Sequence, residues 1–296
     1  MVDNASRDGS VAYVRQTFPW VRLILLPENR GFSGGNIAGL QAITVDKEMV
    51  VLLNNDTAPE LTWLEHLVAA AIAHPDCGAI ASLMVTWNGT RIDSAGDGMM
   101  VTGRGYKRFH RHERVSAPPS GYVFSACGGA ALYRQSMLNT VGFLDDRFFM
   151  NSEDTDLCFR ARLSGWKVWY CAEAVVRHRV SASQGVWSKN SVYYNVRNHL
   201  WMVAKCMPAP LLVKYCWAHA FEFCKHGVYF TLRGRLLSWL LGFWAGLSGM
   251  RPFLEERKRL QHARAITLED LEKQLSLKNV FMVNLKPHGD TGTARR

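Results

Sequence analysis

The sequence predicts an α/β protein: a mostly parallel sheet flanked by helices, then a helical C-terminal region. Three observations carry this expectation. Compact apolar runs at residues 21–26, 49–53 and 77–85 have the length and composition of buried strands. Helical patterns separate them, at residues 37–45 and around Leu61, Leu64, Leu67, Val68 and Ile72. From about Ser191 the character turns helical. Alternation of this kind lays successive strands side by side under a cover of helices.

Taken in order, Val2 reads as the end of a strand running into a turn rich in capping residues, Ser6, Asp8 and Ser10. A short helix follows at residues 11–16, then the strand-type run 21–26, closed by Pro27. Residues 28–36 form a Gly-rich loop leading into a helix from about Ile37 to Val45. The buried strand 49–53 ends at Asn54, Asn55 and Asp56. The next helix has Pro59 in its first turn. Residues 87–121 are polar and rich in Gly, Arg and His, and read as hairpins or a long loop over a site. A strand and a Gly-Gly turn occupy residues 122–133, a short helix 135–141, and two separate short strands 166–170 and 175–178. The apolar run 236–247 is about a dozen residues, where a bilayer needs roughly 20. It therefore predicts either in-plane membrane association or a helical cap packed on the domain. Residues 255–278 read as a charged amphipathic helix, and those after Pro287 as disordered. The domains expected are residues 1–190, 191–286 and a tail, 287–296.

At 296 residues and 48% hydrophobic, the chain can bury a sizeable core. Its formal net charge of +10 points to an anionic partner without choosing among nucleic acid, an acidic membrane and a phosphorylated substrate. Seven cysteines without a CxxC pair predict free, mostly buried thiols in a reducing setting and argue against a zinc site. The positive charge is dispersed and no nucleic-acid motif appears, so nucleic acid is not the expected partner.

Five constellations could carry chemistry. Glu153, Asp154 and Asp156 place three carboxylates within four positions at a helix start. They suit either a capped surface helix or a general base at the mouth of a cleft. Asp156 and Arg160, at i,i+4 spacing, can pair locally. Asn54, Asn55 and Asp56 end a buried strand, which is where such sheets bind ligands. A carboxylate there can hold a divalent cation, although Asn and Asp are also ordinary turn residues. The loop from Asn29 through Gly31 and Gly34 to Asn36 allows close backbone approach but matches neither a Walker loop nor GxGxxG. His178 follows a strand and is either a satisfied histidine or a ligand. Arg197 is either a helix-surface residue or a phosphate partner.

The ordered set Val2-Asp3-Asn4-Ala5-Ser6, Asn29-Arg30-Gly31-Phe32-Ser33-Gly34-Gly35-Asn36, Leu53-Asn54-Asn55-Asp56-Thr57, Gly142-Phe143-Leu144-Asp145 with Glu153-Asp154-Thr155-Asp156-Leu157-Cys158, and His178 resembles family 2 glycosyltransferases, in particular their rhamnosyltransferase-like branch. The resemblance covers roughly residues 1–200. It implies a GT-A fold, a nucleotide-diphosphate-sugar donor, a lipid-linked or polysaccharide acceptor, and inversion at the anomeric carbon. By position, it makes Asp3 a nucleoside contact and Asp56 the metal ligand of a DxD-like motif, with His178 as second ligand for Mg or Mn. Asp154 becomes the general base and Glu153 its acceptor-side neighbour, and Gly128 and Gly129 line the donor-sugar pocket. Asn4, Asn29, Gly31, Gly34, Asn54, Asn55 and Arg197 fall on the donor side. The cytoplasmic face of the inner membrane is the place it implies. Three positions depart from the family pattern: Asn54 replaces an acid, Ile37 an Asn, and Asn151 a Tyr. The family's usual first strand and helix are also not found before Val2. A different class of protein follows if that strand is needed for donor binding: a non-catalytic binding or membrane-assembly module.

Overall fold

The computed structural model describes residues 1–43, 46–179 and 188–280. The chain opens with β1 (Val2–Asp3), α1 (Ser10–Thr17), β2 (Ile24–Leu25) and α2 (Gly31–Gln41). It continues with β3 (Met49–Leu53), β4 (Thr57–Pro59), α3 (Trp63–Ala73) and β5 (Cys77–Thr86). A run of short strands follows: β6 (Ile92–Ala95), β7 (Asp97–Met100), β8 (Gly105–Lys107), β9 (Gly121–Val123) and β10 (Ala130–Arg134). Then come α4 (Gln135–Val141), α5 (Glu153–Leu163) and β11 (Lys167–His178). The C-terminal part holds α6 (Lys189–Cys206), α7 (Ala209–Lys214), α8 (Cys216–Leu232), α9 (Leu236–Ser248), α10 (Arg251–His262), α11 (Leu268–Lys273) and β12 (Leu275–Ser276).

The α/β class is as expected, but the strand pairing is mixed rather than mostly parallel. In the seven-stranded sheet the order is β3-β10-β5-β11-β4, with β6 on β5 and β9 on β11. Only β5 and β11 pair in parallel there, because β10 inserts antiparallel between β3 and β5. The sheet's buried residues include Val50, Leu52, Ala79, Ala81, Tyr133 and Val168 on one face, closed by Leu157, Cys158 and Ala161 of α5. Trp63, Leu67 and Ala71 of α3 close the other face over Ile80, Met84 and Leu132. β1 and β2 form a separate parallel pair.

Several local readings change. The Gly-rich stretch is itself helical: α2 begins at Gly31, not Ile37, and its expected end at Val45 lies outside the described residues. Pro59 closes β4, and the helix after it starts at Trp63. The two strands read near residues 166–178 are one strand, β11, interrupted by a bulge between Cys171 and Val175. Residues 87–121 carry β6, β7 and β8, anchored to β5 and to the C-terminal β12. The single charged helix expected over 255–278 is two helices and a strand.

The boundary expected near residue 190 is not a break in packing. One core cluster joins Met99, Phe124, Phe148 and Phe159 with Trp201, Met202, Phe253 and Leu271. Among the described residues no helix is long and apolar enough to cross a membrane. All seven cysteines are free, and four of them, Cys77, Cys158, Cys171 and Cys206, are buried. The tail expected to be disordered, 287–296, lies outside the described residues.

Candidate active site

Strand register builds the first half of the site. β3 delivers Asn54, Asn55 and Asp56 at its carboxyl end, and the chain turns at once into β4. β4 pairs antiparallel with the end of β11, setting Thr57 opposite His178. The Arg179 N–H donates to the Asp56 carbonyl at 2.9 Å. This brings His178 Nε2 to 3.6 Å from Asp56 Oδ2. Asp56 Oδ1 is buried without a hydrogen-bond partner. A buried carboxylate oxygen left unpaired is costly, and the other oxygen of the same carboxylate is the one beside the imidazole nitrogen. The pair therefore fits a divalent cation, which would take its remaining ligands from outside these two residues. Among the described residues no group of three or more His, Cys, Asp or Glu could hold a metal alone.

The sequence reading missed Asp93. It is 1% exposed, and its Oδ2 lies 2.9 Å from His178 Nδ1. Lys107 Nζ donates to both Asp93 oxygens at 2.8 Å, and against the effect of burial the Lys107 charge and the His178 hydrogen bond hold the carboxyl well below the usual carboxylate range. A carboxylate on Nδ1 fixes the imidazole so that Nε2 presents its lone pair to Asp56. The signal was weak in sequence: one acid in a polar stretch, 85 residues from its partner.

The second half comes from the segment before α5. Phe149, Asn151 and Ser152 all have positive φ, at 63°, 69° and 72°. Three non-glycine residues in this conformation store strain and need outside support. Asn198, fully buried on α6, supplies it: its amide donates to the carbonyls of Phe148, Met150 and Asn151 at 2.8–2.9 Å. Arg197 donates to the carbonyls of Arg147 and Phe148 at 2.9 and 3.0 Å, and stacks on Trp201 and Tyr194. Arg197, expected as either a helix-surface residue or a phosphate partner, braces this loop, because these carbonyls and rings lie within its reach. Asn198→Ala is expected to cost about 3 kcal/mol of stability through the orphaned carbonyls. It should also lower kcat more than it changes donor KM. Urea unfolding and steady-state kinetics check both.

The loop ends in Glu153 and Asp154. The Gly128 N–H donates to Asp154 Oδ2 at 2.8 Å, and the Thr155 N–H to Oδ1 at 2.7 Å. Gly129 adjoins Asn54, whose N–H donates to the Gly129 carbonyl at 2.9 Å. The Gly128-Gly129 turn thus joins Asp154 to the Asp56 half. Asp156 is fully buried, bonded to Arg160 at 2.8 Å and Lys205 at 3.1 Å, and is structural. The capped-surface-helix reading fails, since Glu153 is only 6% exposed.

Burial, and then the charge on Asp154, push the Glu153 carboxyl up to about 8. Its Oε2 is buried without a hydrogen-bond partner. At neutral pH Glu153 is an uncharged acid beside Asp154. Its pKa is raised on folding, so its contribution is largest below about 4.5 and is lost as pH rises toward about 8. Glu153→Gln should match the native protein's melting temperature near pH 4 and exceed it at pH 8. Thermal melts across that range test the sign.

Of the other residues expected on the donor side, Asn4, Asn29, Gly31 and Gly34 lie around the start of α2. Asn4 bridges the turn, donating to the Gly31 carbonyl and accepting from the Arg30 N–H, each at 2.8 Å. Asn29 accepts from the Gly31 N–H at 2.8 Å. Gly31 has φ +68°, and a side chain there would run into the Phe149 carbonyl. Gly34 packs on Arg30. Asp3 is buried and accepts from the Ser6 N–H at 3.2 Å. Asn55 is exposed.

Residues 1–142 match the family described as Glycosyl transferase family 2. N-acetylglucosaminyl-diphospho-decaprenol L-rhamnosyltransferase of Mycobacterium tuberculosis is 29% identical over 213 residues, 62% of this chain and 67% of its own length. The O-antigen biosynthesis protein RfbC of Myxococcus xanthus is 27% identical over 192 residues, 62% of this chain and 15% of its own. Among solved structures, that of GalNAc-T7 with UDP, GalNAc and Mn2+ aligns with a TM-score of 0.58 at 13% identity, covering 92% of this chain and 51% of that one. That likeness is one of fold, of the GT-A type.

Proposed function

We propose, on the premise that residues 1–142 match glycosyl transferase family 2, that the chain is an inverting, metal-dependent glycosyltransferase. It moves a sugar, rhamnose by the name of its mycobacterial relative, from a nucleotide-diphosphate-sugar to a hydroxyl of a lipid-diphosphate-linked acceptor. One observation carries the reading: a single turn links the two halves, its Gly128 N–H holding the carboxylate of Asp154 and its Gly129 carbonyl accepting from the N–H of Asn54, two residues before Asp56, whose carboxylate adjoins His178.

Asp154, oriented by the Gly128 and Thr155 N–H groups, takes the proton of the attacking hydroxyl. The hydroxyl oxygen bonds to the anomeric carbon as the bond to the diphosphate breaks, and the diphosphate leaves with the electron pair. A divalent cation, Mg or Mn, held by Asp56 and His178 would neutralise that leaving group. A single displacement inverts the centre without a covalent intermediate. Glu153, uncharged at neutral pH, offers a hydrogen bond on the acceptor side without competing for the proton. Exposed Trp217, Leu237, Leu241 and Trp244, with Lys214, Arg233 and Arg235 close by in sequence, support peripheral docking on an anionic membrane face in the cytoplasm.

The test offers purified protein a panel of nucleotide sugars, an N-acetylglucosaminyl polyprenyl diphosphate, and Mg or Mn. The expected result is metal-dependent release of nucleoside diphosphate with one sugar, and an inverted linkage by NMR. No release across the panel with either metal sinks the proposal.

A further inference from the structure

The cleft at Asp154, about 270 Å³, has a second wall, formed by Arg104, Tyr106 and Lys107 from the β7–β8 hairpin and by His199 from α6. An acceptor whose hydroxyl reaches Asp154 must lie along this wall. The cationic candidates on it are not equivalent. Lys107 is committed to both oxygens of Asp93. Burial drives His199 down to about 3, leaving it neutral. Arg104 has a side chain 26% exposed. Its Nε donates to Glu222 at 2.8 Å and its Nη2 lies 3.3 Å from His226 Nδ1. Its Nη1 has no protein partner among the described residues. Glu222 is 3% exposed, so the guanidinium is held at a fixed angle.

The helix that holds Arg104 also points outward. On α8, Glu222 and His226 turn in toward Arg104, while Phe221, Val228 and Leu232 are 43%, 62% and 80% exposed. Phe221, Lys225, Val228 and Leu232 are spaced along one helix face. They line an apolar groove that also includes Arg233.

We propose that Arg104 binds the diphosphate of the lipid-linked acceptor, with Glu222 as its positioning residue and the α8 groove as the seat of the first part of the acceptor's hydrocarbon. The inference rests on the acceptor class proposed above. Three chemically different parts of one molecule then meet three matching surfaces in order: sugar hydroxyl at Asp154, diphosphate at Arg104, hydrocarbon on α8.

Binding is tested on the full chain without donor and in EDTA, so that the Asp56–His178 pair holds no cation. The probes are farnesyl diphosphate and farnesol. The native protein should bind the diphosphate more tightly than the alcohol, and Arg104→Ala should abolish that preference, a loss of roughly 10- to 100-fold for charge-assisted bonds. Arg104→Ala leaves Glu222 buried and unpaired. Arg104→Met combined with Glu222→Gln removes both charges and should show the same loss. Leu232→Asp should weaken both probes. Vesicles containing phosphatidylglycerol separate the two sources of phosphate: Arg104→Ala should bind them as the native protein does. Equal binding of farnesyl diphosphate and farnesol by the native protein overturns the inference, as does an unchanged preference in both Arg104 variants or loss of vesicle binding in Arg104→Ala. Each of these outcomes is distinct from a failure of donor cleavage, which would remove the reading of function itself.

Discussion

Asp154→Asn should lower kcat by roughly 10²- to 10⁴-fold, the range a positioned general base supplies, while nucleotide affinity stays nearly unchanged. The amide keeps the shape of the carboxylate but cannot take a proton. The two contacts that orient it come from backbone N–H groups, Gly128 to one oxygen and Thr155 to the other. One oxygen of Asn can still accept from either, so the loop before α5 keeps its path. Asp154 lies on the far side of the Gly-Gly turn from Asp56, and the donor's diphosphate does not need it. Steady-state kinetics with nucleotide titration calorimetry measure the split. A large loss of nucleotide affinity with kcat preserved would make Asp154 a structural residue and leave the reaction without a base.

Asp56→Ala has the second largest expected effect, and it falls on binding. The variant removes the unpaired Oδ1 and the oxygen that faces His178 Nε2 at 3.6 Å. His178, still fixed by Asp93, would remain as a lone nitrogen ligand. Loss of an outer-shell partner alone typically costs 10- to 100-fold in metal affinity, so loss of a direct ligand should cost about 100-fold or more. The metal-dependent part of nucleoside diphosphate binding should vanish and the metal-free part persist. Calorimetric titration with and without Mn separates the two. Unchanged metal dependence would remove Asp56 from the site. The fold should hold, because Asp56 takes part in the β4–β11 connection through its backbone carbonyl, which Ala retains.

What was legible in the sequence was local. The strand before Asp56, the helix opening at Glu153 and the Asp156–Arg160 pair each depend on a few neighbouring residues, and each stands as read. What was not legible depends on partners distant in sequence. The Gly-rich stretch contains poor helix formers, yet α2 starts there because Gly31 and Ser33 pack on Phe149. β11 reads as two strands because the bulge at residues 172–174 interrupts its pattern, and only pairing with β5 shows that it continues. Asp93 is silent until β6 sets it beside His178. Arg197 and Asn198 showed their polarity but not their task, since the carbonyls they hold lie about fifty residues upstream.

The small C-terminal strand changes how the molecule should come apart. β12 adds to β7 in parallel, and β7 in turn carries the β8 hairpin with Arg104 and Lys107. The core beneath mixes Phe148 and Phe159 with Trp201, Phe253 and Leu271. A chain stitched this way gives heat or denaturant no seam near residue 190 at which to separate it. Catalytic segment and C-terminal helices then melt as one cooperative unit. The β7–β8 wall of the cleft should then be lost in the same event as the sheet, and calorimetry should show one transition.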